Sequence, residues 1–96
     1  MVRCGGGVIV NRSSAAGRQA VGELATHVAA KPGVEGLTKA PALAYARQGV
    51  RVHALAPEPI LTDNLKRAGT EAQLAAARAM PLKRIGEPHE VAVATV

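Results

Sequence analysis

Two short strand-like segments bracket a long helical stretch, and that order restricts the fold more than anything else in the chain. Val8-Ile9-Val10-Asn11 is continuous and apolar, as in a strand covered on both faces. From about Leu24 to Gln48 the pattern turns helical, with Val28, Leu37, Leu43 and many alanines on an apolar face and Gly49 placed as a stop. Val50-Arg51-Val52-His53-Ala54-Leu55 is a second strand. Strand, helix, strand in this order predicts a βαβ unit with parallel strands and a right-handed crossover. The segment from Arg12 to Gly22 then reads as a loop at the carboxyl end of a strand, where open α/β sheets place their ligands.

The remainder is expected to be helical. Thr70-Glu71-Ala72-Gln73 has the spacing of a capping box and opens a helix to about Ala79, ended by Met80-Pro81. Gly86-Glu87-Pro88 starts a last helix, with Pro88 near its first position, running to Val96. Two prolines complicate the long helix. If it begins near Leu24, Pro32 loses the bond to Val28, and Pro41 repeats the problem against Leu37. If it begins at Pro32, Lys31 becomes its cap instead.

With 96 residues there is room for one small domain. There is no Phe or Trp and only one Tyr, so Ala and Val must fill the core. Such a core suits a sheet pressed closely by helices and is weak by itself. The net charge of +5 is dispersed, with Lys66-Arg67 and Lys83-Arg84 the only adjacent pairs. No aromatic platform accompanies them, so no nucleic-acid partner is expected, and an anionic cofactor phosphate is the better candidate. Cys4, the single cysteine, excludes an internal disulfide, and with three scattered histidines it makes no metal pattern. No run reaches the length of a membrane span, and the amino terminus has no apolar run of signal-peptide length. A cytoplasmic protein is expected.

Three segments carry a family resemblance. They are Asn11-Arg12-Ser13-Ser14-Ala15-Ala16-Gly17, then His27-Val28-Ala29-Ala30-Lys31, then Arg51-Val52-His53-Ala54-Leu55-Ala56-Pro57-Glu58-Pro59-Ile60-Leu61-Thr62. Together they resemble the short-chain dehydrogenase/reductase pattern N-x-S-S-x-x-G, Y-x-x-x-K and R-V-N-x-x-x-P-G-x-x-x-T. The resemblance implies an α/β fold, part of a Rossmann-like doubly wound parallel sheet with carboxyl-terminal helices. Residues 1–96 would be the catalytic and carboxyl-terminal portion of the family's domain, without the nucleotide-binding half and its Gly-rich phosphate loop. The implied activity is NAD- or NADP-dependent oxidoreduction of a small carbonyl or alcohol substrate, with the long 24–48 helix as a homo-oligomer contact. The alternative is a catalytically inactive fragment or interaction module that associates with a full-length relative.

By the same resemblance Ser14, His27 and Lys31 are the candidate catalytic residues, and Lys31, Pro57, Ile60 and Thr62 the candidate cofactor-binding residues. In the family a tyrosine protonates the carbonyl, a lysine four residues on holds the ribose and tunes the tyrosine, and a serine binds the substrate oxygen. A free phenol has a pKa near ~10, and bringing it to ~7 takes roughly 4 kcal/mol of differential stabilisation. A cation one helical turn away can supply much of this. Here His27 stands at the tyrosine position. A cation that favours a tyrosinate disfavours an imidazolium, and imidazole is shorter than a phenol, so little or no turnover is expected. His53 replaces the asparagine, which reads as a local hydrogen-bond change. Glu58 replaces a glycine and brings a negative charge. Plainer readings stand beside these: Ser14 as a turn cap, Lys31 as an exposed helix lysine, Thr62 as a helix cap before Asp63-Asn64.

Overall fold

The computed structural model describes residues 1–20, 22 and 24–96; the part of the 12–22 loop expectation that falls on Val21 lies outside the described residues. The chain divides into two compact units, Met1–Ala56 and Pro57–Val96.

The first unit is the predicted βαβ. Strand β1 is Gly7–Arg12, helix α1 is Ala25–Tyr45 and strand β2 is Val50–Leu55. β1 and β2 are parallel, in register from Gly7 opposite Val50 to Arg12 opposite Leu55. The ladder continues one step past β1, where the Ser13 N–H donates to the Leu55 carbonyl at 2.7 Å. β2 alternates as a half-buried strand should, with Val50 and Val52 buried and Arg51 and His53 exposed. β1 departs from expectation. Val8 and Ile9 are 46% and 36% exposed, so this strand is not covered on both faces within the described residues.

Helix α1 starts near Leu24 and runs through both prolines, which overturns a start at Pro32. Pro32 and Leu37 are exposed, while Val28 and Pro41 are half-buried. The last turn tightens to 3₁₀ over Ala46–Gln48, and Gly49 ends it with φ 75 and its N–H on the Ala46 carbonyl at 3.1 Å. Gly6 lies against Gly49 so closely that a Cβ there would overlap the Gly49 carbonyl.

The second unit holds three short helices: α2 Asp63–Ala68, α3 Glu71–Arg78 and α4 Pro88–Val93. Asp63 in the first turn of α2 and Lys66 and Arg67 in its last turn complement the helix dipole. The capping box expected at Thr70 does not form. Thr70 makes no side-chain cap bond, and its φ −110, ψ −5 is not the extended geometry that aims a hydroxyl at the first turn. α4 is capped from inside instead, with the Glu90 carboxylate accepting the Glu87 N–H at 2.7 Å. α4 ends at Val93, short of the expected Val96.

The buried apolar residues among those described are small: Ala16, Val50 and Val52 in the first unit and Ala77 in the second. Among the described residues, no helix is long and apolar enough to cross a membrane.

Candidate active site

The carboxyl end of β1 and the first turns of α1 are fastened together by side chains. Lys31 Nζ donates to the Arg12 carbonyl at 3.0 Å. Buried Ser13 donates through Oγ to the Lys31 carbonyl at 3.4 Å. One strand position earlier, Asn11 Nδ2 donates to Thr38 Oγ1 at 2.9 Å, and Thr38 passes its own proton to the Val34 carbonyl at 2.7 Å. That last bond is the i−4 back-bond available to a threonine within a helix. Strand end and helix are thus tied at Asn11, Arg12 and Ser13 in succession.

Ser14 follows at once and is half-buried. Its hydroxyl accepts from the Ala16 N–H at 3.2 Å, so it caps the 3₁₀ turn Ala15–Gly17. The plainer reading of Ser14 is therefore seen, and the same bond orients the hydroxyl at the mouth of the strand. Gly17 closes this turn onto the helix. A Cβ there would stand 2.9 Å from Ser13 Oγ and 3.2 Å from the Lys31 backbone. Arg18 reaches Glu35 on α1 at 3.6 Å, with the Glu35 side chain only 12% exposed. The loop bearing Ser14 and the helix bearing Lys31 are brought together. His27 is on α1 one turn before Lys31, on the same side of the helix, and is exposed.

Pro57, Ile60 and Thr62 form a separate local group in the second unit. Ile60 bridges Gly86 in parallel, with the Leu61 N–H donating to the Gly86 carbonyl at 2.8 Å and the Gly86 N–H to the Pro59 carbonyl at 3.0 Å. Thr62 is extended (φ −93, ψ 164), and its Oγ1 accepts from the Leu65 N–H at 3.3 Å, so it caps α2. Pro57 is half-buried and Glu58 exposed. His53 is exposed on β2, and no group of three potential metal ligands occurs among the described residues.

The shortest ion pair among the described residues is one that the sequence does not announce. The Arg84 guanidinium holds Glu90 through two bonds, of 2.8 and 2.5 Å. These bonds, with the Glu87 N–H, hold the Glu90 carboxyl down at about 2. The partners are six apart, one before the Gly86 bridge and one inside α4, so no helical or strand spacing announces them. Ser13, Gly17 and Glu35 escaped for a similar reason, since their partners lie far along the chain. The N-x-S-S-x-x-G pattern was the one available signal for the first two.

Comparison with known proteins agrees with this architecture. The family described as enoyl-(acyl carrier protein) reductase matches residues 1–96. Cyclohexanol dehydrogenase of Acinetobacter sp. (strain SE19) is 41% identical over 92 residues, covering 96% of this chain and 36% of that protein. Levodione reductase of Leifsonia aquatica is 36% identical over 96 residues, covering 92% of this chain and 36% of that protein. The structure of 7α-hydroxysteroid dehydrogenase complexed with NADH and 7-oxo glycochenodeoxycholic acid superposes with a TM-score of 0.88 at 29% identity, over 99% of this chain and 38% of that one. The crystal structure of levodione reductase gives a TM-score of 0.86 at 35% identity, over 98% of this chain and 40% of that one. The chain spans little more than a third of the relatives it matches, and it is similar to a Rossmann-like portion of them. On the match across its whole length, the chain belongs to the short-chain dehydrogenase/reductase family, whose members use NAD(P).

Proposed function

We propose that residues 1–96 are the catalytic and carboxyl-terminal portion of an NAD(P)-dependent oxidoreductase for small carbonyl or alcohol substrates, weakened by His27. The observation that carries this reading is the fastening of Lys31 to the Arg12 carbonyl at 3.0 Å, beside the Ser14 turn. It sets a cation and a hydroxyl at the carboxyl end of a parallel strand, where α/β folds bind ligands. An ammonium has three donors, and those not on Arg12 suit ribose hydroxyls. Exposed Glu58 is free to turn its charge into solvent, so the residues present are compatible with the cofactor. When bound, a nicotinamide supplies hydride. Ser14 would hold the substrate oxygen and His27 would exchange its proton. His27 is the weak member, because an imidazole is shorter than a phenol and holds its donor closer to α1.

The reading is tested by a thermal melt followed by circular dichroism, with and without millimolar NADPH or NADH. A cofactor at a hundred times its Kd stabilises by about 2.7 kcal/mol, so the midpoint should rise. A midpoint that ignores both nucleotides contradicts cofactor binding by this chain.

A second reading is favoured by the surface. Val8 and Ile9 on β1, with Leu37 and Leu43 at 66% and 84% exposure on α1, leave both elements with apolar groups in water. An inactive chain that docks onto a full-length relative would cover them. That reading predicts a mixed oligomer in gel filtration with a relative and no response to nucleotide.

A further inference from the structure

Between α3 and α4 the chain folds back on the loop that carries Ile60. Lys83, with φ 52, is the described non-glycine residue in the left-handed region, and its N–H closes a turn on the Met80 carbonyl at 3.0 Å. This turn delivers Arg84, whose guanidinium takes Glu90 through two bonds while Nη1 also donates to the Ile85 carbonyl at 3.2 Å. Glu90 in turn accepts the Glu87 N–H at 2.7 Å. Gly86 is enclosed between these fixed points. Its N–H and carbonyl hold Pro59 and Leu61, and a Cβ on it would stand 2.6 Å from Ile60 Cδ1.

We propose that Arg84 and Glu90 are positioning residues for the Pro59–Thr62 loop, setting Ile60 and Thr62 through the two backbone bonds of Gly86. The inference rests on the reading of Ile60 and Thr62 as cofactor-binding residues, and adds to it a pair that need not touch the cofactor. Without the pair, segment 84–87 keeps only its backbone bonds and moves relative to Pro59. Exposed ion pairs usually do little. This one is bidentate and bonded to backbone at both partners, which is the geometry in which such pairs are effective.

The test is amide hydrogen exchange and methyl NMR on the whole chain with Glu90→Gln, and with Arg84→Lys, which keeps the charge and loses the fork. Exchange at the Leu61 and Gly86 N–H should accelerate roughly tenfold in Glu90→Gln, as expected for a locally opened segment, and less in Arg84→Lys. The Ile60 δ1 methyl resonance should move, while Ser13 N–H, bonded in the other unit, should not change. The exchanged pair Arg84→Glu with Glu90→Arg restores the ion pair but not the acceptor for Glu87, and should recover part of the protection. Lys66→Ala, which removes the looser 3.6 Å pair with Asp63, should leave Leu61 unaffected. Unchanged exchange at Leu61 and Gly86 in both single variants overturns the positioning role. If Glu90→Gln unfolds the unit, graded exchange in Arg84→Lys decides it. NADPH titration separates the two ideas. The wild-type Ile60 methyl should respond, with Kd raised roughly tenfold in Glu90→Gln, the same local opening read as affinity. A wild-type methyl indifferent to NADPH and NADH sinks the cofactor reading and with it the functional half of this proposal, whatever the exchange data show.

Discussion

Lys31 Nζ and the Arg12 carbonyl, 3.0 Å apart, join the first turns of α1 to the end of β1 through an exposed bond. An exposed hydrogen bond of this kind contributes about 1 kcal/mol or less. Lys31→Met, which keeps most of the stem, should therefore shift the melt only slightly. Under the proposed function it should abolish any rise in midpoint caused by NADPH. Differential melts of wild type and variant check both parts. A variant that still responds to nucleotide would remove Lys31 from the binding site.

Gly17 packs close against α1. A Cβ would meet Ser13 Oγ at 2.9 Å and the Lys31 carbonyl carbon at 3.2 Å. The second contact is helix backbone and cannot yield easily, so Gly17→Ala should destabilise by about 1–3 kcal/mol, the range for overpacking. Gly36, in the middle of α1 with nothing within 4 Å, is the opposite case. Gly36→Ala should stabilise by about 1 kcal/mol through helix propensity alone. Urea titrations of the two variants should move in opposite directions.

The βαβ core was legible because its signals are local. An apolar run marks Val8–Val10, an alternation of apolar and polar residues marks Val50–Leu55, and Gly49 marks the end of the helix. Thr62 was legible as a cap because Asp63-Asn64 follows it. Residue type points to a capping box at Thr70, but the box forms at Glu87, because backbone entry decides it. Thr70 lacks the extended conformation, while Glu87 has it at φ −102, ψ 149. Val8 and Ile9 are exposed among the described residues, since an apolar strand states what it can bury and not what lies beside it. Ser13 with Lys31, and Arg84 with Glu90, depend on how loops fold back, which no periodicity encodes.

The Arg84 pair gives the second unit a defined acid response. Glu90 has its folded carboxyl lowered to about 2, chiefly by the bonds from Arg84 and then by the Glu87 N–H. A carboxyl depressed on folding stabilises fully above its unfolded value, near ~4.3, and loses that contribution as pH falls through the folded one. Protection of Leu61 N–H should therefore be flat from neutral pH to about 5 and decline below that. In Glu90→Gln the decline should be absent. A wild-type profile parallel to that of Glu90→Gln between about pH 5 and 2 would show that the pair does not control this segment.

His27 is the residue whose replacement should restore most. A positioned general acid contributes about 10²–10⁴ in rate when its proton affinity matches the task. Tyrosine at this position gains from Lys31, since a cation one turn away stabilises the phenolate, and its longer side chain carries the donor further from α1. His27→Tyr, in this chain joined to the nucleotide-binding half of a relative, should raise carbonyl reduction within that range, read as oxidation of NADPH or NADH over a panel of small ketones. The double change His27→Tyr with Lys31→Ala should lose most of the gain, because the phenol then has nothing to tune it. Equal turnover with histidine and tyrosine would mean that the proton comes from another group, and Ser14 would be the next residue to replace.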